Sequence, residues 1–387
     1  MNIITEPLIN DRYSENPNDR VLDFIIDKRN GGAPVIGMYC GYAPVELVRA
    51  MGAVPVFLCA FSGKTIPAAE EVLPSNLCPL IKSSFGFIKT DSCPFYSLSD
   101  AIIGETTCDG KKKMFELIRH IKPTHIMDLP QLPDEAEALE TWTVMVHKLK
   151  AFLENTFGRE IAGELIESEI RETNRKNRLM NGFFNYATHA PSVISWREMY
   201  DVISLELVSG SEELRQLLSG IAMKLDERIS NGKYFGNGNS PRILASGCPV
   251  GGDALKVFTV IEEAGGSVVA MEACSGMKGY SIEIEENTGD PVTALAKAYL
   301  KIPCSCMTPN QGRLDMLDWM IGRFRPDAVV DIILQACHSY NIESAKVGEN
   351  IEKRHGLPFL KIETDYSQSD RGQIRTRVEA LLEMCAL

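Results

Sequence analysis

The chain has 387 residues, 44% of them hydrophobic and 24% charged, the balance of a globular protein with room for two or three cores. Its formal net charge of −12 argues against a basic nucleic-acid-binding face, and its apolar runs fall far short of the roughly 20 residues of a membrane-spanning helix. Eleven cysteines are left to explain.

The opening stretch MNIITEPLINDRYSENPNDR lacks the basic-then-apolar layout of a signal peptide. The expectation is a cytoplasmic protein whose thiols stay reduced, and the odd cysteine count also argues against a full disulfide framework. From about Pro34, APVIGMYC, VPVFLCA, DAIIGETTC and THIMDLP read as strands. Between them PVELVRAMG, NLCPLIKSSFGFIKT and GKKKMFELIRHI read as helices. Apolar strands alternating with helices predict a parallel sheet covered on both faces.

From about Asp134 the strand signal fades into long segments of helical spacing with charged faces, closed by the linker NGKYFGNGNSPR. Its GNGN follows a helix, not a strand, and reads as a loop instead of a nucleotide-binding turn. Alternation returns with RILASGCP, GSVVAMEAC, DAVVDIILQAC and PFLKIETDY as strands. The predicted organisation is a first α/β domain over 1–133, a helical segment over 134–235 and a second α/β domain over 236–387. Each α/β unit is expected to be doubly wound, in the Rossmann or flavodoxin manner.

The cysteines follow this pattern. Cys40, Cys108, Cys248, Cys274 and Cys337 fall at or just past predicted strand ends, the edge that lines the ligand crevice of an open parallel sheet. Cys59, inside the apolar run VFLCAF, and Cys385, in the last helix, read as packing residues. Cys78 falls in the first turn of a helix, with Ser75 or Asn76 as the expected cap and Lys82 one turn on. A helix N-terminus favours a thiolate. KIPCSCMTPN places Cys304 and Cys306 in a proline-bounded loop. No Cys-x-x-Cys pair occurs, so metal ligands would have to converge from distant segments. All-sulfur ligation leaves zinc and iron–sulfur open.

YAPVELVRAMGAVPV, LPSNLCPLIKSSFG, CDGKKKMFELI and VVDIILQACHSYNIES together resemble the iron–sulfur subunits of the 2-hydroxyacyl-CoA dehydratases, from about Val35 to the C-terminus. The resemblance implies two flavodoxin-like domains with a helical insertion, and a [4Fe–4S] cubane on Cys78, Cys108 and Cys337. The additional Cys40, Cys274, Cys304 and Cys306 look like the double-cubane branch, in which six cysteines hold two cubanes joined by a sulfide. The implied ligands are Cys40, Cys78, Cys108, Cys274, Cys306 and Cys337, with Cys304 in reserve for Cys306. Implied too is a separate ATP-hydrolysing iron–sulfur activator that supplies single electrons; this sequence has no G-x-x-x-x-G-K-[ST] motif of its own.

The expected activity is reduction of a small molecule at the double cubane. The alternatives are a dehydratase subunit with a single cubane acting on a 2-hydroxyacyl-CoA, and a non-catalytic electron carrier. His338, beside Cys337, and Glu105, three residues before Cys108, are the candidate polar helpers. Lys111, Lys112 and Lys113 read as a solvated helix start or a dock for an acidic partner. A homodimer is expected on the frequency of two-fold assemblies.

Overall fold

A computed structural model of the chain describes residues 7–9, 12, 16–236 and 238–385. The first half runs α1 (Pro17–Asn30), β1 (Val35–Met38), α2 (Val45–Ala50), β2 (Val54–Phe57), α3 (Ile66–Glu70), α4 (Pro79–Lys89), α5 (Pro94–Leu98), β3 (Ala101–Glu105), α6 (Asp109–Ile118) and β4 (Thr124–Met127). Four helices follow: α7 (Ala138–Phe157), α8 (Gly163–Phe184), α9 (Trp196–Val208) and α10 (Ser211–Ser230). The second half is β5 (Arg242–Gly247), α11 (Lys256–Glu263), β6 (Ser267–Glu272), α12 (Pro291–Leu300), α13 (Gln311–Phe324), β7 (Ala328–Leu334), α14 (His338–Asn350), β8 (Phe359–Thr364) and α15 (Arg371–Cys385).

Both sheets are parallel and share one topology, with strand orders β2-β1-β3-β4 and β6-β5-β7-β8. The central strands are buried along their whole length, because helices cover both faces. That is why these segments read as continuous Val/Ile runs with no alternation. The doubly wound expectation is met in both halves.

The helical segment is not a separate body. Trp142 and Leu149 of α7 and Ile166 and Ile170 of α8 share a core with Ile36, Ile103 and the distant helix α12. Phe184, Trp196 and Leu225 share another with the second sheet. Along α8 an asparagine ladder holds the segment after β6. Asn174 Nδ2 donates to the Ile284 carbonyl (2.8 Å), Asn177 Nδ2 to Ile282 (2.7 Å) and Asn181 Nδ2 to Tyr280 (2.6 Å).

The GNGN stretch lies in the loop after α10, where Gly236 and Gly238 take positive φ. Asn237 and most of the opening stretch before residue 16 lie outside the described residues. Among the described residues no helix is long and apolar enough to cross a membrane.

Candidate functional site

In each sheet the connections leave in opposite directions from the central pair, so the crevice lies outside the carboxyl ends of β1 and β3, and of β5 and β7. Cys40 follows β1 and Cys108 follows β3; Cys248 follows β5 and Cys337 follows β7. Cys59 and Cys274 stand in the same way after β2 and β6. The chain therefore places thiols at matching positions in both halves. Gly247, just before Cys248, has φ +118°, and a Cβ there would lie 2.2 Å from the Ile332 carbonyl oxygen, so only glycine lets β5 pass β7 this closely.

The loops at the two edges are tied to each other. Gly63 N–H donates to the Asp253 carboxylate (2.9 Å), Asp253 N–H to the Phe61 carbonyl (2.8 Å) and Tyr42 Oη to the Ile302 carbonyl (2.8 Å). Thiols from the two halves consequently meet. The neighbouring thiols of Cys248 and Cys78 pull Cys337 down to about 3. Cys78 is pushed well up, first by Cys337 and then by burial, with the Leu80 and Ile81 N–H groups opposing. In the proline-bounded loop the neighbouring Cys306 thiol pulls Cys304 down to about 6; the Cys306 sulfur lies 3.8 Å from Tyr42 Oη. Cys274, pushed to about 11 by burial, sits in the field of Lys278 and Cys304. Cys40 approaches Thr107 Oγ1, next to Cys108, at 3.5 Å.

Three of these thiols occupy helix caps: Cys78 at α4, Cys108 at α6 and Cys337 at α14. The helix N-terminus favours negative charge on each. Cys78 is thus the cap residue itself, one step outside the helix, because Pro79 takes the first helical position. Ser75 and Asn76 do not cap. Lys82 is turned away from Cys78, toward Glu70 (2.8 Å) and the Ser75 carbonyl (2.7 Å).

Two buried lysines flank the thiols, and the sequence pattern marks neither as buried. Lys111 is not part of a solvated helix start: it is 7% exposed, and its Nζ lies 2.7 Å from Cys40 Sγ. Residue 111 sits on the face of α6 that packs against β1's loop, and a run of three lysines conceals that. Lys112 and Lys113 are exposed and pair with Asp109 and Glu116 of their own helix. Lys278 pairs with Glu272 at 2.5 Å and reaches the Pro303 carbonyl at 3.3 Å. Glu272 in turn meets Arg313, whose fully buried guanidinium also contacts Ser246 (2.9 Å), Asp331 (3.1 Å) and Glu343 (2.7 Å). This network joins the ends of β5 and β6 to the middle of β7.

Of the two polar helpers, Glu105 is fully buried and pushed to about 7 by burial. Its carboxylate accepts the Ala43 N–H at 2.8 Å, so it holds the loop that carries Cys40. His338 is exposed in the first turn of α14, beside Cys337. Cys59, which reads as packing from its apolar run, donates its thiol to the Tyr39 carbonyl (2.8 Å) within the field of Lys111. The signal for it is the spacing from β2, which matches that of Cys274 from β6. Cys93, which accepts the Tyr96 N–H at the start of α5, and Cys385 lie elsewhere.

Fold and site together define a protein of two like parallel-sheet halves whose thiols converge at a shared crevice. Residues 40–385 match the family described as 2-hydroxyglutaryl-CoA dehydratase, D-component, and the chain belongs to that family. It is 41% identical to the putative dehydratase subunit YjiM of Escherichia coli strain K12, across 99% of this chain and 100% of that protein. It is 24% identical to the beta subunit of lactoyl-CoA dehydratase of Anaerotignum propionicum, over 95% of this chain and 96% of that one. One component of the benzoyl-CoA reductase of Thauera aromatica is 22% identical, over 84% of this chain and 80% of its own length.

Proposed function

We propose that this family member is a low-potential iron–sulfur reductase. A double cubane would be held by Cys40, Cys78, Cys108, Cys274, Cys306 and Cys337, with Cys304 as the alternate to Cys306. Electrons would come one at a time from an ATP-hydrolysing iron–sulfur activator. The observation that carries this reading is the meeting of thiols from both sheets at one crevice.

The donor set fits such a group. Among the described residues no three His, Cys, Asp or Glu side chains gather closely enough to hold a single metal ion. A cubane instead takes thiolates one per iron, from a wider ring. Helix caps at Cys78, Cys108 and Cys337 and the buried ammonium of Lys111 favour the thiolate forms that ligation needs. When bound, the cluster supplies strongly reducing electrons to a small substrate. Around it, Glu105 fixes the Cys40 loop, Lys278 and Arg313 fix the Cys274 and Cys304 side, and Tyr42 closes the crevice over Cys306. His338 is exposed and adjacent in sequence to Cys337 and is proposed to pass protons in from solvent.

A second reading is a dehydratase subunit with a single cubane on Cys78, Cys108 and Cys337, acting with a different second subunit on a 2-hydroxyacyl-CoA. The names of the relatives favour it. Iron and acid-labile sulfide per chain, measured on protein purified without oxygen, separate the two. About eight irons support the double cubane and about four the dehydratase. Zinc alone, or no metal, refutes both.

A further inference from the structure

A lysine buried without an anionic partner costs far more than the hydrophobic contacts of its stem return. This chain otherwise avoids that situation. Among the described residues, buried Lys82 pairs with Glu70, Lys176 with Glu206, Lys256 with Asp370 and Lys278 with Glu272. Lys111, equally buried, has no such carboxylate. Its Nζ meets Cys40 Sγ at 2.7 Å and the Tyr39 carbonyl at 3.5 Å. Glu105 is the carboxylate whose charge it feels, but the two form no ion pair; one Glu105 oxygen accepts the Ala43 N–H. The other groups facing Lys111 are thiols and phenols: Cys59, Cys108 and Tyr39 from its own half, and Cys274, Cys304 and Tyr366 from the other.

The geometry points to Lys111 as a positioning residue that sets the reduction potential of the cluster. It acts through an N–H···S bond to Cys40 and through a positive charge that no carboxylate pairs with directly. This rests on the iron–sulfur reading above. Each added electron makes a thiolate-bound cluster more negative. A fixed cation in a low-dielectric crevice stabilises the reduced state more than the oxidised one, and a hydrogen bond to ligand sulfur acts in the same direction. Lys111 therefore raises the potential toward the range an electron donor can reach. Lys278 should do so far less, because its ion pair with Glu272 at 2.5 Å offsets much of its charge.

The test is a redox titration followed by electron paramagnetic resonance on anaerobically purified wild type, K111M, K111Q and K111R, each with its iron and sulfide content measured. With cluster content unchanged, K111M is expected to lower the reduced-to-oxidised ratio at the wild-type midpoint at least tenfold. For a one-electron couple that is a shift of about 59 mV to more negative potential. K111Q, which keeps a donor and loses the charge, should fall between, and K111R should stay near wild type. A midpoint unmoved in K111M and K111Q at full cluster content overturns the inference. So does loss of the cluster from all three variants, K111R included, which would make Lys111 a residue of assembly. Loss from K111M alone, with the ordering of K111Q and K111R intact, supports it. Wild type without iron and sulfide refutes the cluster reading itself, and the role of Lys111 with it.

Discussion

Replacing Arg313 by Met tests whether its buried network holds the second half together. Arg313 and its partners Glu272 and Asp331 are fully buried. Removing the guanidinium does not orphan all three carboxylates. Glu272 keeps Lys278 at 2.5 Å, and Glu343 keeps Asn310 Nδ2 at 2.7 Å and is partly exposed. Asp331 loses the one cation it contacts. One uncompensated carboxylate in a dry core costs about 3–5 kcal/mol. R313M should therefore lower unfolding stability by about that amount, read as a drop in the urea midpoint at constant slope. Replacing the stranded carboxylate as well should recover much of it, so R313M/D331N is expected to be more stable than R313M. A loss below about 1 kcal/mol, the scale of an exposed ion pair, or a double variant no better than the single one, would refute the argument.

Two further outcomes follow. C337S and C108S should lose most of their iron on anaerobic purification while C93S keeps the wild-type content, because Cys93 binds the Tyr96 N–H away from the crevice; equal loss in all three, measured by iron assay, would count against the ligand assignment. Glu262, held by the Trp196 N–H at 3.3 Å and pushed to about 8 by burial, binds a proton in the folded state that the unfolded chain has released above its ordinary value of 4.5. Stability should fall as pH rises between those values, and E262Q should gain on wild type, on the order of a few kcal/mol, at pH 9 but not at pH 4; parallel denaturation curves at both pH values would contradict this.

The strands were legible because a sheet covered on both faces demands uninterrupted apolar runs, and Val35–Met38, Ala101–Glu105 and Ala328–Leu334 supply them. The thiols were legible for the same reason: once a strand is placed, a cysteine two or three residues past its end can only be at the crevice edge. What the pattern hid was orientation. Lys111 and Lys112 are neighbours in a lysine run, yet the turn of α6 sends one into the crevice and the other to solvent. Cys59 lay in an apolar run and looked like filler. Nothing local told that α12 would leave the sheet nearest to it in sequence and pack against α7 and the first sheet. Such long-range choices depend on which faces remain uncovered after the nearer helices dock.

The means of holding negative charge differ around the crevice, and the difference is physically ordered. Thiolates brought together repel, and burial makes each costlier. At Cys40 burial pushes the thiol up, and the Lys111 ammonium opposes that rise. On the second sheet's side Lys278 pairs with Glu272, and there neighbouring thiols act on one another: Cys78 and Cys248 pull Cys337 down, and Cys306 pulls Cys304 down. In the proposed cluster, ligation by iron would release thiol protons and leave Lys111 and the three helix caps in place. The charge of such a cluster would then be borne unevenly, with the lysine that lacks a carboxylate ion pair on the Cys40 side. This is why a single substitution at position 111 is expected to move a potential far more than one at 278.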